Sequence, residues 1–374
     1  MSVTSLYDLL KLNESYSSDE EYDSSDLLSF SKVKNALAIP SSLFDDRERE
    51  DSEWLDFGSI VDIMLTAPDK INDKILVLDN NFSDMYLKII NHISNNIYDF
   101  DIDSMSDEQL DSLFAASGVK VNWTAATKKK NLKDSGVINY VSKLRDNPGK
   151  IVVVPDVYLK ALKTAECVRN HRFTSLLFRE QPYLRANGID VLFQYKIRYS
   201  LYGLEWKSKI DCIIINHRTK SINLIDFKTG SDYWFSFPNH NFMRYKYYLQ
   251  AELYTRGFLE FMAQPNIMQH MNDYCVSNFV FVYISRLEPQ MPVPFTLSTH
   301  TILYSTYKET PTLSGKYLEY VLRPNVSTLS EAIKRYRSSL EDNVSPSSIE
   351  PYIFKFIDGF TVSDDGVIGI PISF

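Results

Sequence analysis

The chain has 374 residues, 44% of them hydrophobic and 24% charged, with a formal net charge of −8. That is enough apolar content to bury the core of one elaborated domain or two. No run of about 18 apolar residues is present, and the acidic, serine-rich start lacks the basic flank of a secretory signal, so the reading is a cytoplasmic protein with no membrane segment.

Residues 1–30 carry Asp8, Glu14, Asp19, Glu20, Glu21, Asp23 and Asp26 against one base, Lys11, so most of the net charge sits there. With little apolar material to bury, this stretch reads as a flexible, solubilising tail. Residues 53–65 are apolar at helical spacing, with Gly58 and Asp62 one turn apart. Residues 72–150 read as a helical insertion, with helices near 84–95, 107–117 and 136–145, the middle one opened by Ser106 as a cap. Lys128, Lys129, Lys130, Lys133, Lys143 and Arg145 are the densest basic stretch, either a DNA-facing surface or a solvated helix face. Residues 155–171 predict another helix.

A strand is expected at 191–199, and two β-branched, apolar runs at 209–216 and 221–227 are joined by His217-Arg218-Thr219-Lys220. A polar tetrapeptide between such runs closes a hairpin. Asp211, near the start of the first strand, and Asp226, near the end of the second, then fall at the same end of the pair. Asp226 and Lys228 are two residues apart and share a face. In 241–262, Met243, Tyr247, Gln250, Tyr254 and Phe258 recur at three and four residues and define one face of a helix. Residues 277–285 predict a further strand, Pro289, Pro292 and Pro294 a break in regular structure, and 317–340 a helix. The segment 353–374 alternates apolar residues with glycines and reads as an edge cover or assembly surface.

Two converging carboxylates and an ammonium suit metal-assisted phosphodiester hydrolysis. Mg²⁺ is usually held by one or two carboxylates plus waters and substrate phosphate oxygens, roles open to Asp211 and Asp226. Lys228 would position the attacking water or add positive charge, and Gln250 and Tyr254 would orient a phosphate or the acidic ligands. Lys207, Lys209, Arg244 and Lys246 stand close in sequence to these residues and are the candidate DNA contacts. There is no Gly-x-x-x-x-Gly-Lys phosphate loop and no Gly-x-Ser-x-Gly elbow, and the six histidines stand singly. Three scattered cysteines without a Cys-x-x-Cys pair offer neither a zinc ribbon nor a disulfide framework.

The order Asp211, then Asp226-Phe227-Lys228, then Gln250-x-x-x-Tyr254 resembles the PD-(D/E)XK nuclease superfamily, and within it the RecB-like and RecE-like exonucleases of bacteria and phages. Residues 29–37 and Phe57-Gly58-Ser59-Ile60-Val61-Asp62 resemble that family's upstream segment, with Asp62 in place of the usual histidine and therefore a third candidate metal ligand. Gln194 stands near where a glutamate is common. The resemblance implies an α/β fold with a restriction-endonuclease-like α-β-β-β-α-β core, a mixed central sheet flanked by helices, spanning 31–286 with the insertion at 72–150. Residues 287–374 would be an extension packed on that core. It further implies Mg²⁺ (with Mn²⁺ as substitute), no iron–sulfur cluster for want of a fourth cysteine, and activity on double-stranded DNA ends to produce single strands for phage-type recombination, in the host cytoplasm if phage-encoded. A single-strand-annealing protein would be the partner, and a homo-oligomeric ring the assembly. Two alternatives stay open: a structure-specific endonuclease on the same site, and a non-catalytic DNA-binding or structural protein that keeps the fold.

Overall fold

The computed structural model describes residues 6–32, 34, 53–79, 82–96, 100–234, 236–237, 241–271, 273–287, 291–299, 302, 319–321 and 355–357. The chain divides into two compact units, one of Met1–Asp51, Leu65–Ala67 and Lys163–Phe374, the other of Ser52–Met64 and Pro68–Leu162.

In the second unit, β1 (Ile75–Val77) pairs in parallel with β2 (Ile151–Val153), neither of which the sequence announced. The helices Asp84–Asn96, Asp107–Ala116, Ala125–Asp134 and Val137–Arg145 enclose a separate core of Ile89, Ile93, Leu110, Phe114, Leu132 and Val141. Ser106 caps the second helix in a capping box with Gln109. The lysine run lies on the Ala125–Asp134 helix, and three of its four lysines are paired within this unit. Lys128 is 7% exposed, pairs with Asp111 at 2.6 Å and lies 5.1 Å from the Phe114 ring centre. Lys129 donates to the Met105 carbonyl at 2.6 Å, and Lys133 pairs with Asp103.

The first unit is a mixed α/β structure built on five strands: β3 (Ile189–Leu201), β4 (Leu204–Asn216), β5 (Ser221–Gly230), β6 (Cys275–Ser285) and β7 (Pro292–Ser298), in that spatial order. All neighbouring strands run antiparallel except β5 and β6, which are parallel and joined through the Tyr247–Met262 and Pro265–Met271 helices. A parallel pair needs such a crossover, whereas β3–β4 and β4–β5 close through short turns. At the β3–β4 turn, Tyr202 (φ 54°) and Gly203 (φ 68°) both take left-handed backbone, the requirement of a two-residue hairpin turn. At the β4–β5 turn, Asn216 Oδ1 accepts from the Arg218 and Thr219 amides at 3.0 and 3.1 Å, an Asx-type closure. Trp206, Tyr195, Ile213, Leu224, Phe258, Phe279 and Phe281 fill the core between the sheet and the Tyr247–Met262 helix.

Three expectations change here. The acidic segment, expected to be a flexible tail, makes contacts: the Leu6–Leu12 and Asp19–Ser24 helices and residues 13–30 dock on the β3–β4 hairpin. Ser15 donates its amide to the Lys196 carbonyl at 3.0 Å, and Leu28 bridges Glu205 and Lys207 by backbone bonds of 3.3 and 2.8 Å. The arms of this hairpin extend beyond β5, so their backbone groups need partners, and the N-terminal segment supplies them. Leu9, Leu10, Tyr16 and Tyr22 bury their side chains, and the Tyr195 hydroxyl donates to the Leu10 carbonyl at 2.6 Å. Second, the proline-rich stretch forms β7, so the sheet runs past residue 286. Pro292 and Pro294 are tolerated because an edge strand uses only one side for its ladder. Third, within the expected 317–340 helix, Glu319–Val321 is β8 and pairs antiparallel with β9 (Lys355–Ile357). The rest of both C-terminal expectations lies outside the described residues. Among the described residues no helix is long and apolar enough to cross a membrane.

Candidate functional site

Register places the two aspartates together. Cys212 on β4 pairs with Ile225 on β5, so Asp211 and Asp226 leave the ladder as neighbours across the two strands. Asp211 is fixed by the strand beside it, its Oδ2 accepting the Phe227 amide at 2.9 Å. Asp226 is 2% exposed, with the Lys228 Nζ 2.6 Å from its Oδ2 and Gln250 Nε2 donating to its Oδ1 at 2.6 Å. Gln250 is itself buried, and its Oε1 has no hydrogen-bond partner.

Electrostatics tie this group together. Burial is the largest influence on Asp226 and raises its carboxyl above the usual range, while Lys228 and Gln250 pull against it. Burial also opposes the charge on Lys228, but Asp226, Tyr247 and Asp211 outweigh it and hold the ammonium above the ordinary lysine range. Lys228 therefore stays protonated, with its Nζ 4.9 Å from the centre of the Tyr247 ring. Tyr254, one turn beyond Gln250, packs edge-on against Phe279 with ring centres 6.2 Å apart. Its hydroxyl is pushed well above the usual value by burial and by the nearby Tyr22, Asp226, Asp211 and Tyr199, so it keeps its proton as a donor. Asp211, Asp226, Lys228, Gln250 and Tyr254 thus form one linked cluster.

The other sequence-selected residues divide. Lys207 is engaged within the protein: it is 5% exposed, its Nζ bonds the carbonyls of Tyr22, Asp23 and Ser25, and it lies 4.6 Å from the Tyr22 ring centre. Lys209 is partly buried at 5.8 Å from the same ring, Arg244 is exposed, and Lys246 is half-buried, with burial pushing its ammonium down. Asp62 lies on the Glu53–Thr66 helix among the residues of the second unit; the geometry above belongs to the first. Gln194 falls between the register pairs Phe193–Cys212 and Tyr195–Ile210, opposite Asp211, with a left-handed φ of 50°. A non-glycine residue in that region inside a strand marks local strain beside the site.

Two residues were missed. Tyr247 appeared only as helix packing, yet its ring faces Lys228. Tyr22, read as tail, sits over Lys207 and Lys209. A tyrosine inside an acidic run was the available signal. His217, in the link between β4 and β5, bonds the buried Asp190 at 2.8 Å through Nε2 and the Tyr274 hydroxyl at 2.7 Å through Nδ1. His240 and His300 lie outside the described residues.

Among the described residues no three His, Cys, Asp or Glu gather as a metal cluster. The donors present are two carboxylates and a buried amide oxygen, a hard, all-oxygen set that fits Mg²⁺ or Mn²⁺ with water completing the shell. Cys212 is buried and burial pushes its thiol up, whereas Cys167 is half-buried and Cys275 exposed.

No protein-family model and no curated protein matches the chain. Among solved structures, one from Eubacterium rectale described as a "Putative exonuclease" matches with a TM-score of 0.28 and 11% identity, covering 71% of this chain and 84% of that one.

Proposed function

We propose that the chain is a divalent-metal-dependent deoxyribonuclease that hydrolyses phosphodiester bonds at DNA ends. The observation that carries this reading is the closed set of Asp211, Asp226, Lys228 and Gln250, in which a buried carboxylate meets a protonated lysine at 2.6 Å and a carboxamide at 2.6 Å. Asp211 and Asp226 would hold Mg²⁺ or Mn²⁺, with the Gln250 Oε1 as a neutral oxygen on the same side chain that orients Asp226. When bound, such an ion lowers the pKa of a coordinated water and neutralises charge on the phosphate.

The residues themselves do the rest. Lys228, kept protonated, presents positive charge to the phosphate oxygens, and Tyr254, also protonated, can donate to the same group or to an acidic ligand. Water adds to phosphorus and gives up a proton, the bond to the leaving oxygen breaks, and that oxygen takes up a proton from solvent, so that no net proton is gained or lost. No covalent enzyme intermediate is required. Arg244, Lys246 and Lys209 are the proposed phosphate contacts. In this reading the enzyme acts on double-stranded ends and yields single strands for recombination, with a strand-annealing protein as partner and a homo-oligomer as its assembly.

The test is digestion of end-labelled linear duplex with Mg²⁺ or Mn²⁺ by the wild type, Asp226→Ala and Lys228→Ala. Metal-dependent loss of label by the wild type and its collapse in both variants is the expected result. No digestion by the wild type, or equal digestion by all three, rejects the proposal. Cleavage of closed circles would replace the end-dependent form with an endonuclease.

A further inference from the structure

Beside this cluster the protein exposes aromatic rings that its core does not use. Tyr233 is 51% exposed, Trp234 37% and Tyr245 37%, large values for such residues. They are not scattered. Tyr245 and Tyr247 have ring centres 5.6 Å apart, and the Tyr247 ring faces Lys228 at 4.9 Å, so Tyr245 is one ring removed from the lysine that pairs with Asp226. Tyr233 and Trp234 follow the end of β5, the strand that carries Asp226 and Lys228. Their turn is closed by the amides of Ser236 and Phe237, which donate to the Tyr233 and Trp234 carbonyls at 3.0 and 3.1 Å. Phe237 stacks on Tyr247 at 5.8 Å and 23°, which draws that turn towards the same ring.

Two cations flank the Tyr245 ring. The Lys34 Nζ and the Arg244 Cζ each lie 5.5 Å from the Tyr245 ring centre, and Arg244 is exposed. An apolar protein partner would want the aromatics and be penalised by the charges. A ligand that alternates flat π-faces with phosphates wants both, and base–aromatic stacking with backbone neutralisation is how single strands are held.

We propose that Tyr233, Trp234 and Tyr245, with Arg244 and Lys34, form a stacking platform for unpaired bases of a single-stranded or frayed DNA end, delivering the adjoining phosphate to the Asp211–Asp226–Lys228 cluster. This rests on the nuclease reading for its purpose but not for its measurement. Because every base has a π-face, the platform takes bases without sequence preference, and the enzyme's grip is on unstacked termini.

The experiment is fluorescence anisotropy with the full chain in EDTA, where cleavage does not interfere. The probes are a labelled single strand of about 15 nucleotides, within the span such grooves cover, and an abasic strand of equal length. The wild type is expected to bind the base-bearing strand more tightly than the abasic one. Tyr245→Ala and Trp234→Ala should each weaken the base-bearing complex at least about fivefold, the lower end of a stacking contribution, and leave abasic binding unchanged. Tyr245→Phe, which keeps the ring, should bind as the wild type does, and unchanged melting temperatures confirm that the alanine variants fold. Equal affinity for both strands, or alanine variants that bind like the wild type, would overturn the platform. Asp226→Asn separates the two proposals: strand binding retained with digestion lost supports both, whereas digestion retained removes the nuclease reading and leaves the platform standing.

Discussion

Gly257 is the position where a single methyl group tests the packing and the site together. It lies on the Tyr247–Met262 helix, three residues after Tyr254 and seven after Gln250, so it shares their rigid element. A Cβ there would stand 2.3 Å from the Tyr199 Cζ and 2.6 Å from both its Cε atoms. Carbon atoms settle near 3.5 Å or beyond, so about 1.2 Å must open between helix and ring. Tyr199 cannot turn aside, being 4% exposed with its hydroxyl bonded to the Ser208 Oγ at 2.9 Å. Overpacking of this kind costs about 1–3 kcal/mol, and breaking the hydroxyl bond adds about 1 kcal/mol. Alanine returns about 1 kcal/mol of helix propensity. Gly257→Ala should therefore destabilise the fold by about 1–3 kcal/mol in a urea melt followed by circular dichroism. If the helix yields instead of the ring, Gln250 and Tyr254 move with it, and a misplacement near 1 Å lowers digestion by about tenfold to a hundredfold. In a Tyr199→Ala background the obstacle is gone, and the same substitution should become stabilising. A Gly257→Ala protein that melts at or above the wild-type midpoint refutes this packing argument.

Lys196→Met should detach the acidic segment, because it leaves Glu14 and Asp19, each under a fifth exposed, without the ammonium that meets them at 3.3 and 3.4 Å. A cost of about 3 kcal/mol is expected, with faster proteolysis within residues 6–32; unchanged cleavage would mean that the segment is not held by this pair. Lys207→Met and Arg244→Ala should behave differently although both remove one charge. The first strips a donor from three N-terminal carbonyls and lowers stability with little change in the salt dependence of DNA binding, whereas the second keeps stability and reduces the salt slope by about one. Identical salt slopes for the two variants would contradict the assignment. At high pH, burial pushes the Tyr283 hydroxyl up to about 12, and this hydroxyl donates to the Asp232 carbonyl at 2.9 Å. Its folded value lies above the ordinary 10, so its stabilisation is complete below pH 10 and is lost as the pH rises towards 12. Tyr283→Phe should flatten the fall in melting temperature across that window, and a parallel fall in both proteins would exclude the assignment.

The β4–β5 hairpin was legible because its strands are β-branched and its link polar, and an antiparallel turn fixes which residues meet. Once Asn216 opposes Ser221, Asp211 and Asp226 must be neighbours, and the helix period then brings Gln250 and Tyr254 to one face. What could not be read was where charge is spent. Lys207 and Lys209 look alike in sequence, yet the first is pinned by three carbonyls from a segment some 180 residues upstream. Lys128 is likewise consumed by Asp111 on a neighbouring helix, and Lys133 by Asp103 in the turn before that helix. The acidic segment misled for the same reason. Its composition reports the charges, while its attachment depends on four buried apolar side chains and on open backbone groups of a hairpin far along the chain.

That attachment alters what the net charge means for the proposed nuclease. Glu14 and Asp19 share the Lys196 ammonium, and the Tyr22–Ser25 backbone is held by Lys207, so part of the acidity of the N-terminal segment is offset on the hairpin. The same ordering places the Tyr22 ring over Lys209 and within electrostatic reach of Tyr254. On one side, then, lysines serve the protein's own N-terminal segment. Arg244 and Lys34 meet the exposed Tyr245 and through it approach Lys228. A phosphodiester entering by the second route meets cations and aromatic faces. One entering over Tyr22 meets Lys209 and carbonyls that Lys207 already occupies, so the stacking faces of the proposed platform lie on the Tyr245 side.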